Sequence, residues 1–153
     1  MSQISFAKKA GRFLFLLVLV NLVGYIASAY MTPDTMIWYN TLPQSSLTPP
    51  QYTFIVVWSV LLLLQAIAAF LVWGKASPRY FVLQLALNML WSFVFFYLRN
   101  PALALTIVLL FVWSLIMNIK AFIYVKKSAG WLLVPTLLWA LFAVYLNCII
   151  VFS

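Results

Sequence analysis

Acidic side chains are nearly absent from this chain: 153 residues hold one Asp, no Glu and no His. That shortage excludes whole classes of chemistry. General acid–base catalysis draws mainly on His, Glu and Asp, and Asp34 alone cannot form a carboxylate pair. Metal centres need clusters of Cys, His, Asp and Glu. Cys148 is the only cysteine, so neither a metal site nor an intrachain disulfide is expected. Haem would find only single Met, Tyr or Cys ligands, and no resident cofactor is expected. Proton-coupled pumps place Asp or Glu inside the membrane, and Asp34 lies outside every expected span.

Charge of either sign is scarce as well. Charged residues make up 7% and hydrophobic residues 67%, against about 25% and about 45–50% in soluble domains. An ordinary soluble fold is thereby excluded, and so is a disordered chain. The net charge of +8 would suggest nucleic acid in a soluble protein. Here the basic residues flank apolar runs, where anionic lipid headgroups are the natural counterpart. A lipid bilayer is therefore the expected partner, with no nucleic acid.

What the chain has is long apolar runs. A bilayer-spanning helix needs about 20 apolar residues. Five runs qualify, at 13–30, 52–73, 80–98, 102–124 and 131–152, so residues 1–153 are expected to form one all-α membrane domain. Pro49-Pro50 opens the second span, as Pro suits a first helical turn. Gly74 to Pro78, Asn100-Pro101 and Lys126 to Gly130 mark the later breaks. Lys8, Lys9 and Arg12 before an apolar run resemble a signal peptide, but the run is long for one, and a retained span is expected. Eight basic residues (Lys8, Lys9, Arg12, Lys75, Arg79, Lys120, Lys126, Lys127) fall on one side and Arg99 on the other. The positive-inside rule then puts the N-terminus in the cytoplasm and the C-terminus outside. The one long connection, residues 31–51, carries Trp38, four prolines and no basic residue. It reads as a stiffened external loop without secondary structure of its own, either a plain connector or a lid over a cavity.

Tryptophan normally gathers at membrane interfaces, as Trp73 and Trp131 do. Trp58, Trp91, Trp113 and Trp139 lie deeper, where an indole N–H seeks a partner, so these four are expected to face the bundle interior or a cavity. Helical spacing aligns them with polar groups. Phe54, Trp58, Leu61 and Gln65 share a face of the second span. Asn88, Trp91, Ser92 and Phe95 share one on the third, and Pro135, Trp139, Ala143 and Asn147 one on the fifth. Ser114 and Asn118 stand one turn apart on the fourth. Each polar side chain alone reads as interhelical glue, worth about 0.6 kcal/mol on average. Three faces that each pair a Trp with an amide read as a pocket, aromatic walls with a few placed polar groups. Spacing alone leaves both readings open.

Four stretches carry a family likeness: Trp38-Tyr39 with Leu42-Pro43; TPPQYTFIVVW from Thr48 to Trp58; LNMLWSFVFF from Leu87 to Phe96, followed by NPALA; and VPTLLWALFAVYLN from Val134 to Asn147. Together and in this order they resemble the TspO/MBR family of tryptophan-rich sensory proteins and translocator proteins. The resemblance implies a five-helix bundle, commonly a homodimer, in a bacterial cell membrane. It implies a pocket on the long-loop side that takes porphyrins and other flat apolar ligands. The ligand-binding residues expected from the faces and the likeness together are Trp38, Pro49, Pro50, Phe54, Trp58, Asn88, Trp91, Ser92, Phe95, Trp139, Ala143 and Asn147. It further implies light-dependent porphyrin degradation, with Trp58 and Trp139 as the photochemical residues. The chain departs from the family at Leu47, where many members have Trp, at Thr136, where many have Tyr, and at 106–108, where some carry an acid.

The expected function is a membrane receptor or sensor for protoporphyrin-type tetrapyrroles. A small passive transporter of porphyrin or sterol-like ligands and a structural membrane subunit are the alternatives.

Overall fold

The computed structural model of the chain describes residues 2–153. It is helical throughout, with no strand among the described residues. The helices are α1 (Ser2–Ala29), α2 (Pro33–Asn40), α3 (Gln51–Leu71), α4 (Arg79–Ser92), α5 (Pro101–Val125), α6 (Lys127–Trp131) and α7 (Val134–Phe152). A π-helical segment, Phe93–Tyr97, continues α4. Five stretches are long and apolar enough to cross a membrane, at 5–29, 51–71, 79–97, 101–125 and 127–152. They overlap the five expected spans, the first beginning eight residues earlier than expected.

Local sequence explains most of the ends. Pro50 caps α3. The Asn100 side chain accepts from Leu103 N at 3.0 Å and caps α5, with Pro101 in its first turn. Both devices satisfy or remove N–H groups that a helix start leaves unpaired. Arg99, just before that cap, sits at φ 50°, a left-handed conformation that non-Gly residues rarely adopt. It makes the tight reversal between α4 and α5.

The structure corrects the sequence reading in four places. The 31–51 connection holds a helix, α2. Its signals were present: Thr32 accepts from Thr35 N at 3.3 Å, Pro33 occupies the first turn, and Asp34 faces the positive end of the helix dipole. The third span does not end as a regular α-helix but widens at Phe93. The fifth span is split, because a turn at Leu132 and Leu133 separates α6 from α7. Finally, Trp113 does not face the interior. It is 46% exposed on the outer surface of α5 and meets Tyr80 edge-on at 6.0 Å.

Successive spans run antiparallel. Along α1 and α3, Phe13 meets Phe70 at 5.4 Å, and Gly24 lies against Leu62. A Cβ on Gly24 would stand 2.6 Å from the Leu62 side chain, so glycine there permits the helices to approach. Small residues at such crossings matter because lipid removes the usual hydrophobic drive for helix pairing. α1 packs between α3 and α4, and α5 between α4 and α7. The end bearing the eight basic residues is filled by an apolar core that includes Leu16, Val20, Ala66, Phe81, Phe122 and Leu133. The opposite end is where the helices leave space.

Candidate functional site: an aromatic cavity under the long loop

A cavity of about 620 Å³ lies between α1, α3, α4 and α7, beneath α2 and the rest of the 31–51 connection. That volume falls within the range of about 300–1,000 Å³ typical of small-molecule sites.

Each wall follows from helical spacing. On α3, Phe54, Trp58 and Leu62 recur every four residues and line the space, with Pro49 and Pro50 above them. Trp58 is held from behind by Phe111 at 6.4 Å. On α4 and the π segment that continues it, Asn88, Trp91, Ser92 and Phe95 all line it. The π segment adds one residue per turn, which buries Phe95 and Phe96 side by side, rings 4.9 Å apart. Both reach the cavity. On α7, Ala143 and Asn147 line it.

The polar groups divide into two kinds. Trp91 Nε1 donates to Asn147 Oδ1 at 3.3 Å, and Asn147 Nδ2 donates to the Pro101 carbonyl at 2.9 Å. Ser92 Oγ donates to the Ala27 carbonyl at 2.6 Å. These bonds tie α4 to α7, α7 to α5 and α4 to α1, so here the glue and pocket readings hold together. Asn88 is different. It is buried, it lines the cavity, and no side-chain hydrogen bond among the described residues engages it.

The roof is built by α2. Tyr39 packs on Phe95 and Phe96, each at 6.1 Å. Burial pushes the Tyr39 phenol above its ordinary pKa, with Gln44 opposing the shift. The loop after α2 is pinned to α7 by a 2.9 Å bond between the hydroxyls of Ser45 and Tyr145, 100 residues apart. Asn40, Gln44, Ser45, Thr48 and Gln51 supply polar groups at this end. No charged side chain among the described residues lines the cavity. Among the described residues no group of three or more His, Cys, Asp and Glu could hold a metal.

Ten of the twelve residues expected in the site line this cavity. Trp38 and Trp139 stand outside it. Trp38 packs against the outer side of Phe95 at 5.9 Å, under the Arg99 guanidinium at 5.8 Å. Trp139 sits one ring behind the wall, edge-on to Phe54 at 5.6 Å and 5.5 Å from Phe142. Sequence reasoning missed the contribution of α1, whose Asn21, Gly24, Tyr25 and Ser28 also line the space. The usable signal was Asn21 and Ser28 flanking Gly24 in an otherwise apolar run. It also missed Tyr39 and Phe96, which depend on α2 and on the π segment.

The family model for the TspO/MBR family matches residues 15–152. The Tryptophan-rich protein TspO of Chlorobaculum tepidum is 37% identical over 134 residues, covering 82% of this chain and 84% of that one. The Tryptophan-rich sensory protein of Cereibacter sphaeroides is 35% identical, covering 78% and 77%. The Translocator protein of Bos taurus is 29% identical, covering 85% and 82%. With five helices fit to cross a bilayer and a family match across nearly its whole length, this chain is a multi-pass integral membrane protein and belongs to the TspO/MBR family.

Proposed function

We propose that this protein is a membrane receptor or sensor whose cavity takes a flat apolar tetrapyrrole of the protoporphyrin type. The observation that carries the reading is the cavity's composition: two indoles and three phenylalanines, one buried amide without a side-chain hydrogen bond, and no cation among the described residues. Aromatic faces suit a planar ring. The propionates of a porphyrin need hydration or hydrogen-bond donors, and the amides and hydroxyls under the loop supply them at one end. A free-base ring fits this lining better than haem, because the lining offers no imidazole or thiolate for iron.

Light-dependent degradation of the bound ring is the second element of the proposal. An indole can donate an electron to an excited porphyrin, or react with singlet oxygen formed at the ring. Trp58 lies in the wall and takes the larger part; Trp139 acts across Phe54 and takes the smaller. The reading includes a homodimer in the bacterial cell membrane, with the basic end in the cytoplasm. On a Cys148→Ser background, Ser46→Cys should then label from outside intact cells and Ser2→Cys should not.

The test of function is a protoporphyrin titration in the dark followed by illumination. Trp58→Phe keeps an apolar wall, so affinity should stay within roughly tenfold, about 1.4 kcal/mol. Light-dependent loss of porphyrin should fall much further. Equal photochemistry in wild type and Trp58→Phe would remove the indole from the proposal. Passive transport is the second reading, favoured by the relative named Translocator protein; porphyrin flux into proteoliposomes separates it from binding alone.

A further inference from the structure

Beneath the cavity floor the bundle buries a second polar group that the proposed ligand site does not use. Gln65 on α3, Gln84 on α4, Asn118 on α5 and Thr136 on α7 are each at most 1% exposed. Gln84 Nε2 donates to Gln65 Oε1 at 3.1 Å, and Gln65 Nε2 donates to Thr136 Oγ1 at 3.4 Å. Those bonds leave three atoms over. Gln84 Oε1 and both the Nδ2 and Oδ1 of Asn118 are buried with no protein group in hydrogen-bond reach.

Helical register brings these atoms to one level. Phe81 and Phe122 stack across α4 and α5 with centroids 6.2 Å apart. Gln84 lies three residues on from Phe81, and Asn118 four residues back from Phe122. In antiparallel helices both steps lead one turn toward the cavity, on the facing surfaces. Likewise Ala140 packs in one cluster with Phe111 and Leu115, and one turn toward the basic end stand Thr136 on α7 and Asn118 on α5. The four residues therefore converge from four helices.

An amide left unpaired in an apolar interior costs about 1–3 kcal/mol per group, so three such atoms in one place call for a common partner. That partner must both donate and accept, because a carboxamide oxygen and an N–H need opposite roles. It must be neutral, since no ionisable group stands among the four. It must also be small, because residues next to these amides or one turn away along the same helices, Leu62, Leu85, Phe81 and Phe122, belong to one packed apolar core. Water meets all three conditions, and buried water typically makes about three such bonds. We infer that Gln84, Asn118, Gln65 and Thr136 form a binding site for internal water, in which Asn118 Nδ2 donates to a water that in turn donates to Gln84 Oε1. This site is the lower end of a polar track that starts in the cavity at Asn88, one turn above Gln84 on the same face of α4. The stacked Phe81 and Phe122 close the track toward the basic end. Solvent thus reaches from the cavity into the middle of the bundle without crossing it.

The inference is tested on wild-type protein first. Crystals diffracting well enough to show ordered water should have density within about 3.2 Å of both Gln84 Oε1 and the Asn118 carboxamide. A direct contact between the two amides, with no density between them, overturns the proposal. Asn118→Leu gives the counterpart in solution. If water bridges the cluster, the variant loses its bonds and should melt about 2–4 °C lower, as expected for loss of one such group in a chain of this size. If the cluster is dry, leucine removes two unpaired polar atoms and the melting temperature should rise, which also overturns it. The crystallographic result decides where the two disagree, because an over-bulky leucine lowers stability by itself.

Discussion

The two ends of this bundle are made from the same kinds of residue and do opposite things. At the basic end, Leu16, Val20, Ala66, Phe81, Phe122 and Leu133 pack together in one buried cluster. At the loop end, Phe54, Trp58, Trp91 and Phe95 stand around one of about 620 Å³. The amides differ in the same way. Gln65 and Gln84 bond to each other across two helices, whereas Asn88, one turn from Gln84, points a free amide into open space. Composition therefore does not separate stability from binding in this protein. What separates them is whether the facing helix supplies a partner: Phe13 of α1 meets Phe70 of α3 and Phe81 of α4 stacks on Phe122 of α5 at the basic end, while α2 and the loop after it roof an open space at the other.

The comparison can be broken by mutations at each end. The largest effect on stability is expected from Phe122→Ala, which removes a ring 2% exposed in the closed half. It should cost about 3–5 kcal/mol, read as a lower melting temperature in detergent, while ligand affinity per folded molecule is unchanged. A stable Phe122→Ala protein with weakened binding would mean that the halves are not independent. On the other side, Ala143→Leu grows into the cavity from α7. It should leave melting nearly unchanged and weaken protoporphyrin by tenfold or more, about 1.4 kcal/mol.

Smaller effects sharpen the contrast. Asn88→Ala breaks no intramolecular bond, so its melting temperature should stay close to wild type. Its ligand affinity should fall by the worth of one hydrogen bond, about 0.5–1.5 kcal/mol, measured by titration. An Asn88→Ala protein that melts early and binds normally would place this residue with Gln84 as packing. The smallest effect is expected from Trp73→Phe. That indole is 37% exposed at the basic end, against Phe15 and Arg12, and its replacement should change neither binding nor photochemistry.

The spans were legible because a bilayer imposes one length and one polarity on every helix. The cavity walls were legible where a Trp and an amide fell at helical spacing, as with Trp91, Ser92 and Asn88. Legibility failed where a side chain's direction depends on something other than spacing on its own helix. Trp113 has the same mid-span position as Trp91 but projects outward, because the inner face of α5 is taken by Phe111, Ser114, Leu115 and Asn118. Trp139 shares a face with Ala143, yet Phe54 stands between it and the cavity. Helix α2 was hidden by reading Pro33 as loop stiffening rather than as the first turn after an N-cap. The π segment has no simple residue signature, so the burial of Phe96 beside Phe95 could not be read from a regular period.

The central claim is that the loop-end cavity is where a tetrapyrrole binds. Tryptophan fluorescence during protoporphyrin titration, run side by side on wild type and Ala143→Leu in the dark, tests it most directly. The account predicts saturable quenching in wild type and a dissociation constant at least tenfold higher when leucine fills the cavity, with both proteins melting alike. Quenching that does not saturate, or that saturates with the same constant in both proteins, would contradict it.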